Sequence, residues 1–275
     1  MDPRVQNLAR TLVQYSLPLK SGNVVEVAGY SDAEPLFVAV YEELIKAGVF
    51  PELRMTPECT QNLFFKHGQD AHFETLTTYK KATAKNADHT IRIISSSNTR
   101  GLSGVDPKKQ ATLTKTMRPW KDILLNKPWV LTLFPTDAFA QDAEMSLADF
   151  EDFVYHATFS DQKDPVRCWR NLAKKQDKLI AQLEGADHIR IVGPDTDISM
   201  SVKGRSFVNS AGTHNMPSGE IFTSPVESSV EGHVSYDYPV CHAGREIDGI
   251  RLVFNKGVVV DASAEKNEDF FDQDA

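Results

Sequence analysis

Hydrophobic positions in the first half of the chain recur with two alternating periods. Val5, Leu8, Ala9, Leu12 and Val13 repeat at spacings of 3, 4 and 7, which predicts an amphipathic helix started by Asp2-Pro3. A turn at Lys20-Ser21-Gly22-Asn23 leads into Val24–Ala28, a short β-branched strand. Ser31 and Glu34 have capping-box spacing, and the helix they open would bury Phe37, Val40, Tyr41, Leu44 and Ile45 before Gly48 ends it. A second strand over Val49–Met55 completes a strand–helix–strand unit, which implies parallel pairing. A helix over Asp70–Ala87 and a strand over Thr90–Ile94 continue the rhythm. Residues 1–105 therefore read as a small, doubly wound, Rossmann-like α/β domain.

Gly101-Leu-Ser-Gly104 ahead of Asp106-Pro107 marks the predicted boundary with a second domain over 106–275. A helix to about Leu125, a strand over Trp129–Phe134 and a helix from Ser146 follow. Asp164-Pro165 then opens the most regular helix, with Val166, Trp169, Leu172, Ala173, Gln176, Leu179, Ile180 and Leu183 on one side and Gly185 at its end. After Asp187 the pattern changes to short β runs at 188–192, 197–202, 206–208, 220–223, 233–238, 249–254 and 257–260. The second domain is thus predicted to be α+β with a β-rich late portion.

Charge narrows the function class. Thirty Lys and Arg against 38 Asp and Glu leave a net charge of −8 over 275 residues, without a basic block, which argues against nucleic acid as partner. The start Met1-Asp2-Pro3-Arg4 has no secretory pattern, and no apolar run is of membrane-spanning length. Cys59, Cys168 and Cys241 are widely spaced and fit a reducing cytosol, so a cytoplasmic protein is expected.

Most chemical candidates have plain structural readings. Gly29-Tyr30-Ser31-Asp32-Ala33 resembles a nucleophile elbow only loosely, and Ser31 is expected to cap a helix. The same junction lacks the closely spaced glycines of a dinucleotide loop. Cys241 and His242 are adjacent and would point to opposite faces of a strand, and His67 and His72 are five apart, off the helical ligand spacing. In Asp195-Thr196-Asp197, turn aspartates usually bond backbone amides, with metal contact as the alternative.

The informative stretch is Thr213–Glu227, where Pro217 and Ser218-Gly219 force a tight turn and deliver Glu220 at the start of a strand. A carboxylate fixed in this way suits a divalent metal, while a surface hairpin with an exposed glutamate is the plain alternative. The pattern Asn215-x-Pro217-x-Gly219-Glu220-x-Phe222-Thr223-x-Pro225, with Gly193-x-x-Thr196-Asp197 upstream and Glu227 downstream, resembles the signature of the aminopeptidase T and aminopeptidase S family of two-metal aminopeptidases. The likeness covers essentially the whole chain.

That resemblance implies a cytoplasmic, homodimeric hydrolase that removes N-terminal residues from peptides. It also implies two divalent ions (zinc, cobalt or magnesium) that activate a shared water, with Glu220 as the first metal ligand. Asp195 and Asp197 do not carry over as ligands. Further family donors, a glutamate, a histidine ahead of a tyrosine and a His-x-Asp pair, would follow beyond Glu268–Ala275. The sequence therefore reads as C-terminally incomplete, a fragment with little activity alone. A non-enzymatic α/β binding or dimerisation module descended from the peptidase is the alternative.

Overall fold

The computed structural model describes residues 2–242 and 245–268, with the side chains of Cys241, His242 and Arg245 outside the description. It divides into two compact units, Met1–Lys175 with Ser210–Glu220, and Gln176–Asn209 with Ile221–Ala275. The boundary expected near residue 105 falls inside the first unit, between two strands that pair with each other.

The first unit opens with α1 (Pro3–Thr11), whose N-cap Asp2 accepts the Arg4 amide at 2.8 Å; the helix widens into a π turn over Leu12–Ser16. Then follow β1 (Val24–Tyr30), α2 (Glu34–Lys46), β2 (Phe50–Thr56), α3 (Cys59–His67), α4 (Asp70–Glu74), α5 (Thr78–Asn86), β3 (His89–Ile94), α6 (Pro107–Leu125), β4 (Trp129–Leu133), α7 (Asp137–Asp142) and α8 (Leu147–Ala157). The long α9 (Pro165–Leu183) belongs to this unit through Lys175. Later in the chain come β5 (His188–Gly193), β6 (Thr196–Ser201), β7 (Val208–Ser210), β8 (Asn215–Met216), β9 (Glu220–Phe222), β10 (Glu231–Tyr236), β11 (Val240–His242), β12 (Arg245–Ile247), β13 (Ile250–Asn255) and β14 (Val258–Ser263).

Strands of the first unit form a parallel sheet in the order β2-β1-β3-β4-β8. Register places Val25 and Val27 beside Ile91 on one face, where they join Leu8, Leu12, Phe37 and Leu44 in the main core. In the second unit the antiparallel sheet runs β14-β13-β10-β6-β5. The predicted α/β fold with a later antiparallel portion is therefore present. No helix among the described residues is long and apolar enough to cross a membrane.

Local expectations fare unevenly. All five residues assigned to the buried face of α1 are buried, whereas Tyr41 and Ile45 of α2 are 42% and 51% exposed, and Leu36 and Ala39 are buried instead. On α9, Val166, Trp169 and Gln176 are buried but Leu179 and Leu183 are exposed. The helix expected over 70–87 is two helices, because Thr77 turns extended and caps α5 by accepting the Lys80 amide at 3.3 Å. Ser31 does not cap α2 through its side chain: it starts a short 3-10 turn, and its carbonyl accepts the Glu34 amide.

Candidate functional site

The Glu220 segment is anchored from below by a tryptophan. Trp169 on α9 is fully buried, donates from Nε1 to the Thr158 carbonyl at 3.0 Å, and meets the rings of Phe159 and Tyr15 at centroid distances of 5.2 and 6.5 Å. Tyr15 in turn donates its hydroxyl to the Ala211 carbonyl at 2.7 Å, fixing the entry to the segment. Gly212 follows at φ +85°, and a Cβ there would lie 2.6 Å from the Met216 methyl and 3.2 Å from the Trp169 ring. Only glycine fits that corner.

The chain then adds β8 to the sheet edge, with Leu131 and Thr132 of β4 beside Asn215 and Met216. Met216 is 1% exposed and belongs to the main core. Past the cis Met216–Pro217 bond, Ser218 donates to the Ser210 carbonyl at 2.8 Å and the Gly219 amide donates to the same oxygen at 2.9 Å. Gly219 has φ +119°, and Glu220 leaves the turn as the first residue of β9 with its side chain exposed. The sequence-read bend is thus tied to the Ser210 carbonyl by one side-chain and one backbone hydrogen bond.

The other carboxylates of the pattern lie in the second unit, and each has an arginine. Arg190 donates from Nε and Nη2 to the two oxygens of Asp197 at 2.8 and 2.7 Å, which holds that carboxyl below its ordinary range. Asp195 sits at φ +41° in the β5–β6 turn; its carboxylate accepts the Ser235 hydroxyl at 2.7 Å and Arg251 Nε at 3.2 Å. The serine hydrogen bond and the arginine charge both lower its pKa. Glu227 accepts Arg205 Nη2 at 2.8 Å, and its own backbone amide followed by Arg205 lowers its pKa. These contacts support the structural reading of both aspartates: Arg190 forks the two oxygens of Asp197, while Ser235 and Arg251 hold Asp195 through one oxygen, Oδ2.

Among the described residues, no group of three or more His, Cys, Asp or Glu side chains gathers closely enough to hold a metal ion. Zinc requires three or four donors, so the described residues do not by themselves fit a metal centre. Sequence reading missed the arginine partners. The Arg190–Asp197 pair is visible only once register is known, because Asp197 stands opposite Val192 and diagonal to Arg190.

Remaining candidates resolve into structure. Gly29 is required because a Cβ would meet the Ile93 carbonyl oxygen of β3 at 2.4 Å. His72 Nδ1 accepts the Gln69 amide at 3.1 Å in a helix cap, and Cys59 is exposed. The Cys241 and His242 side chains lie outside the described residues.

The first unit is thus a helix-flanked parallel α/β sheet whose edge strand leads into the turn-braced Glu220 segment, and an antiparallel sheet makes up the second unit. The chain belongs to the thermophilic metalloprotease (M29) family, which it matches over residues 1–274. It is 25% identical over 293 residues to aminopeptidase 2 of Geobacillus stearothermophilus, an alignment covering 96% of this chain and 71% of that protein. It is 28% identical over 217 residues to aminopeptidase AmpS of Bacillus subtilis, covering 69% of this chain and 52% of the relative. The solved structure of AmpT from Thermus thermophilus shares the fold, with a TM-score of 0.83 at 19% identity over 98% of this chain and 73% of that one. The aminopeptidase T/S resemblance read from the 215–225 pattern is borne out, and with it the metallo-aminopeptidase class.

Proposed function

We propose that this protein acts on peptides with a free N-terminus, releasing the first residue by metal-dependent hydrolysis. On this reading it works with two divalent ions (zinc, cobalt or magnesium), as a homodimer in the cytoplasm, without nucleic-acid or membrane partners. Glu220, which leaves the braced turn at the end of the first unit, is the residue we assign as a metal ligand. The family match over 1–274 carries the proposal. The hydrogen-bonded turn at Ser210, Ser218 and Gly219, which presents the Glu220 carboxylate on a fixed backbone, supports the ligand assignment.

The test is to titrate the 275-residue chain with Zn²⁺, Co²⁺ and Mg²⁺ by calorimetry while following release of p-nitroaniline from Leu-p-nitroanilide. Expected is a chelator-sensitive activity that metal restores, small in this chain because its described residues do not by themselves complete a metal centre, with Glu220→Gln lowering metal affinity by about tenfold or more, the loss of one charged donor. Asp195→Asn should leave metal affinity unchanged. Metal-independent release would overturn the reaction class, and metal affinity insensitive to Glu220→Gln would remove Glu220 from the ligand role.

A further inference from the structure

The sheet face opposite the main core carries cations outside the Glu220 segment. Ala28 of β1 is flanked in register by Arg54 on β2 and Arg92 on β3, so both guanidinium side chains leave the sheet on that face. Lys80 on α5 comes to the same region. Burial is the main influence lowering its pKa, and the charges of Arg54 and Arg92 add to it. Lys80 Nζ approaches Met117 Sδ at 3.7 Å and lies 5.4 Å from the centre of the Trp120 ring; Arg54 Cζ is 5.9 Å from the same ring. Arg54 is paired with Glu26, but Lys80 and Arg92 have no carboxylate within ion-pair distance among the described residues.

Arg54 and Lys80, but not Arg92, border a cavity of about 800 Å³ at the carboxyl end of β2, whose walls join Phe64, Met117 and Trp120 with threonine and glutamine side chains. That volume is the size of ordinary small-ligand pockets, and the carboxyl ends of parallel strands are where doubly wound sheets admit ligands. No Asp or Glu lines it. A partly desolvated ammonium with only a thioether and an indole face beside it gains from an anion. The apolar walls ask that the anion be carried on a hydrophobic body. No lining acid is there to pair with an ammonium, which Lys80 would repel, while Arg54 is already matched by Glu26.

We propose that this cavity binds a carboxylate borne on an apolar or aromatic body with no free amine beside it. The carboxyl-terminal residue of a peptide and a small N-acylated or aryl acid share that chemistry. The proposal is independent of the metallopeptidase reading.

The test is calorimetric and tryptophan-fluorescence titration of the full 275-residue chain, in EDTA so that no metal-dependent cleavage consumes the peptide, with N-acetylphenylalanine, its amide, free phenylalanine, Ala-Ala-Phe and inorganic phosphate. We expect saturable binding of N-acetylphenylalanine, with the amide and free phenylalanine weaker by about tenfold or more, one charge-assisted contact's worth. Ala-Ala-Phe binding as tightly assigns the site to peptide ends; tighter binding of the small acid assigns it to free acids. Lys80→Met should weaken the acid by a similar factor and Lys80→Arg restore it. If Lys80→Met does not fold, the acid-against-amide ratio on the natural chain decides. Absence of saturation by about 10 mM acid, an amide that binds equally, a folded Lys80→Met with unchanged affinity, or phosphate displacing the acid at equal concentration would each overturn the proposal.

Discussion

Arg54 donates from both Nε and Nη2 to a single oxygen of Glu26, Oε1, at 3.1 and 2.5 Å. Glu26 is only 5% exposed, on β1 between β2 and β3, while Arg54 is partly exposed on the edge strand β2. The pair places a buried charge inside a parallel sheet, where apolar residues are the rule, and its energetics follow from which partner is removed. Arg54→Met leaves the carboxylate buried without its cation and should cost about 3–5 kcal/mol. Glu26→Gln with Arg54→Met should recover a large part of that loss. Urea unfolding of the three proteins checks both numbers, and equal stability of the single and double variants would show that burial of Glu26 is not what the arginine offsets.

Trp169 and Met216 both close on Gly212 and join the Glu220 segment to the core of the first sheet. Trp169→Ala should destabilise the first unit by about 3–5 kcal/mol and Met216→Ala by about 2–5 kcal/mol, as large-to-small changes at fully buried sites. The two side chains approach the same corner, so their effects should be less than additive. A double-mutant cycle by chemical denaturation reads the coupling, and strict additivity would mean that the contacts at Gly212 do not connect them.

Glu58 closes the end of β3. Burial by itself would raise its carboxyl, but hydrogen bonds from the Ser96 and Ser97 hydroxyls and the Ser97 amide together outweigh burial and hold the pKa below the ordinary carboxylate value. The folded state therefore binds its proton less readily than the unfolded chain. Stability from this group is present above the unfolded pKa, about 4.3, and is lost as pH falls from there through the folded value. Glu58→Gln should flatten the acid limb of a stability-against-pH curve while leaving its neutral region sloped as before. An unchanged acid limb would show that Glu58 titrates alike in both states.

Much of this organisation is legible in the residues themselves. The helical spacing of Val5, Leu8, Ala9, Leu12 and Val13 needs no neighbours to be recognised, and neither do the Asp2, Asp106 and Ser146 caps, because each depends on atoms a few residues apart. The 215–225 pattern likewise names its family in one dimension. Side-chain burial at the margins was less readable: Tyr41 and Ile45 satisfy the helical period, yet the neighbouring elements cover Leu36 and Ala39 instead.

Sequence alone determined the alternation of helix and strand, the late switch to antiparallel strands and the peptidase kinship, since all three are written in local spacing. Only the folded chain decided that Asn215 and Met216 return to a sheet whose previous strand ended at Leu133. It likewise paired Asp195, Asp197 and Glu227 with separate arginines. It also set Arg54, Lys80 and Arg92 on one face of the first unit. Such contacts join residues tens of positions apart, and their partners are chosen by register and packing, which no short window of sequence contains.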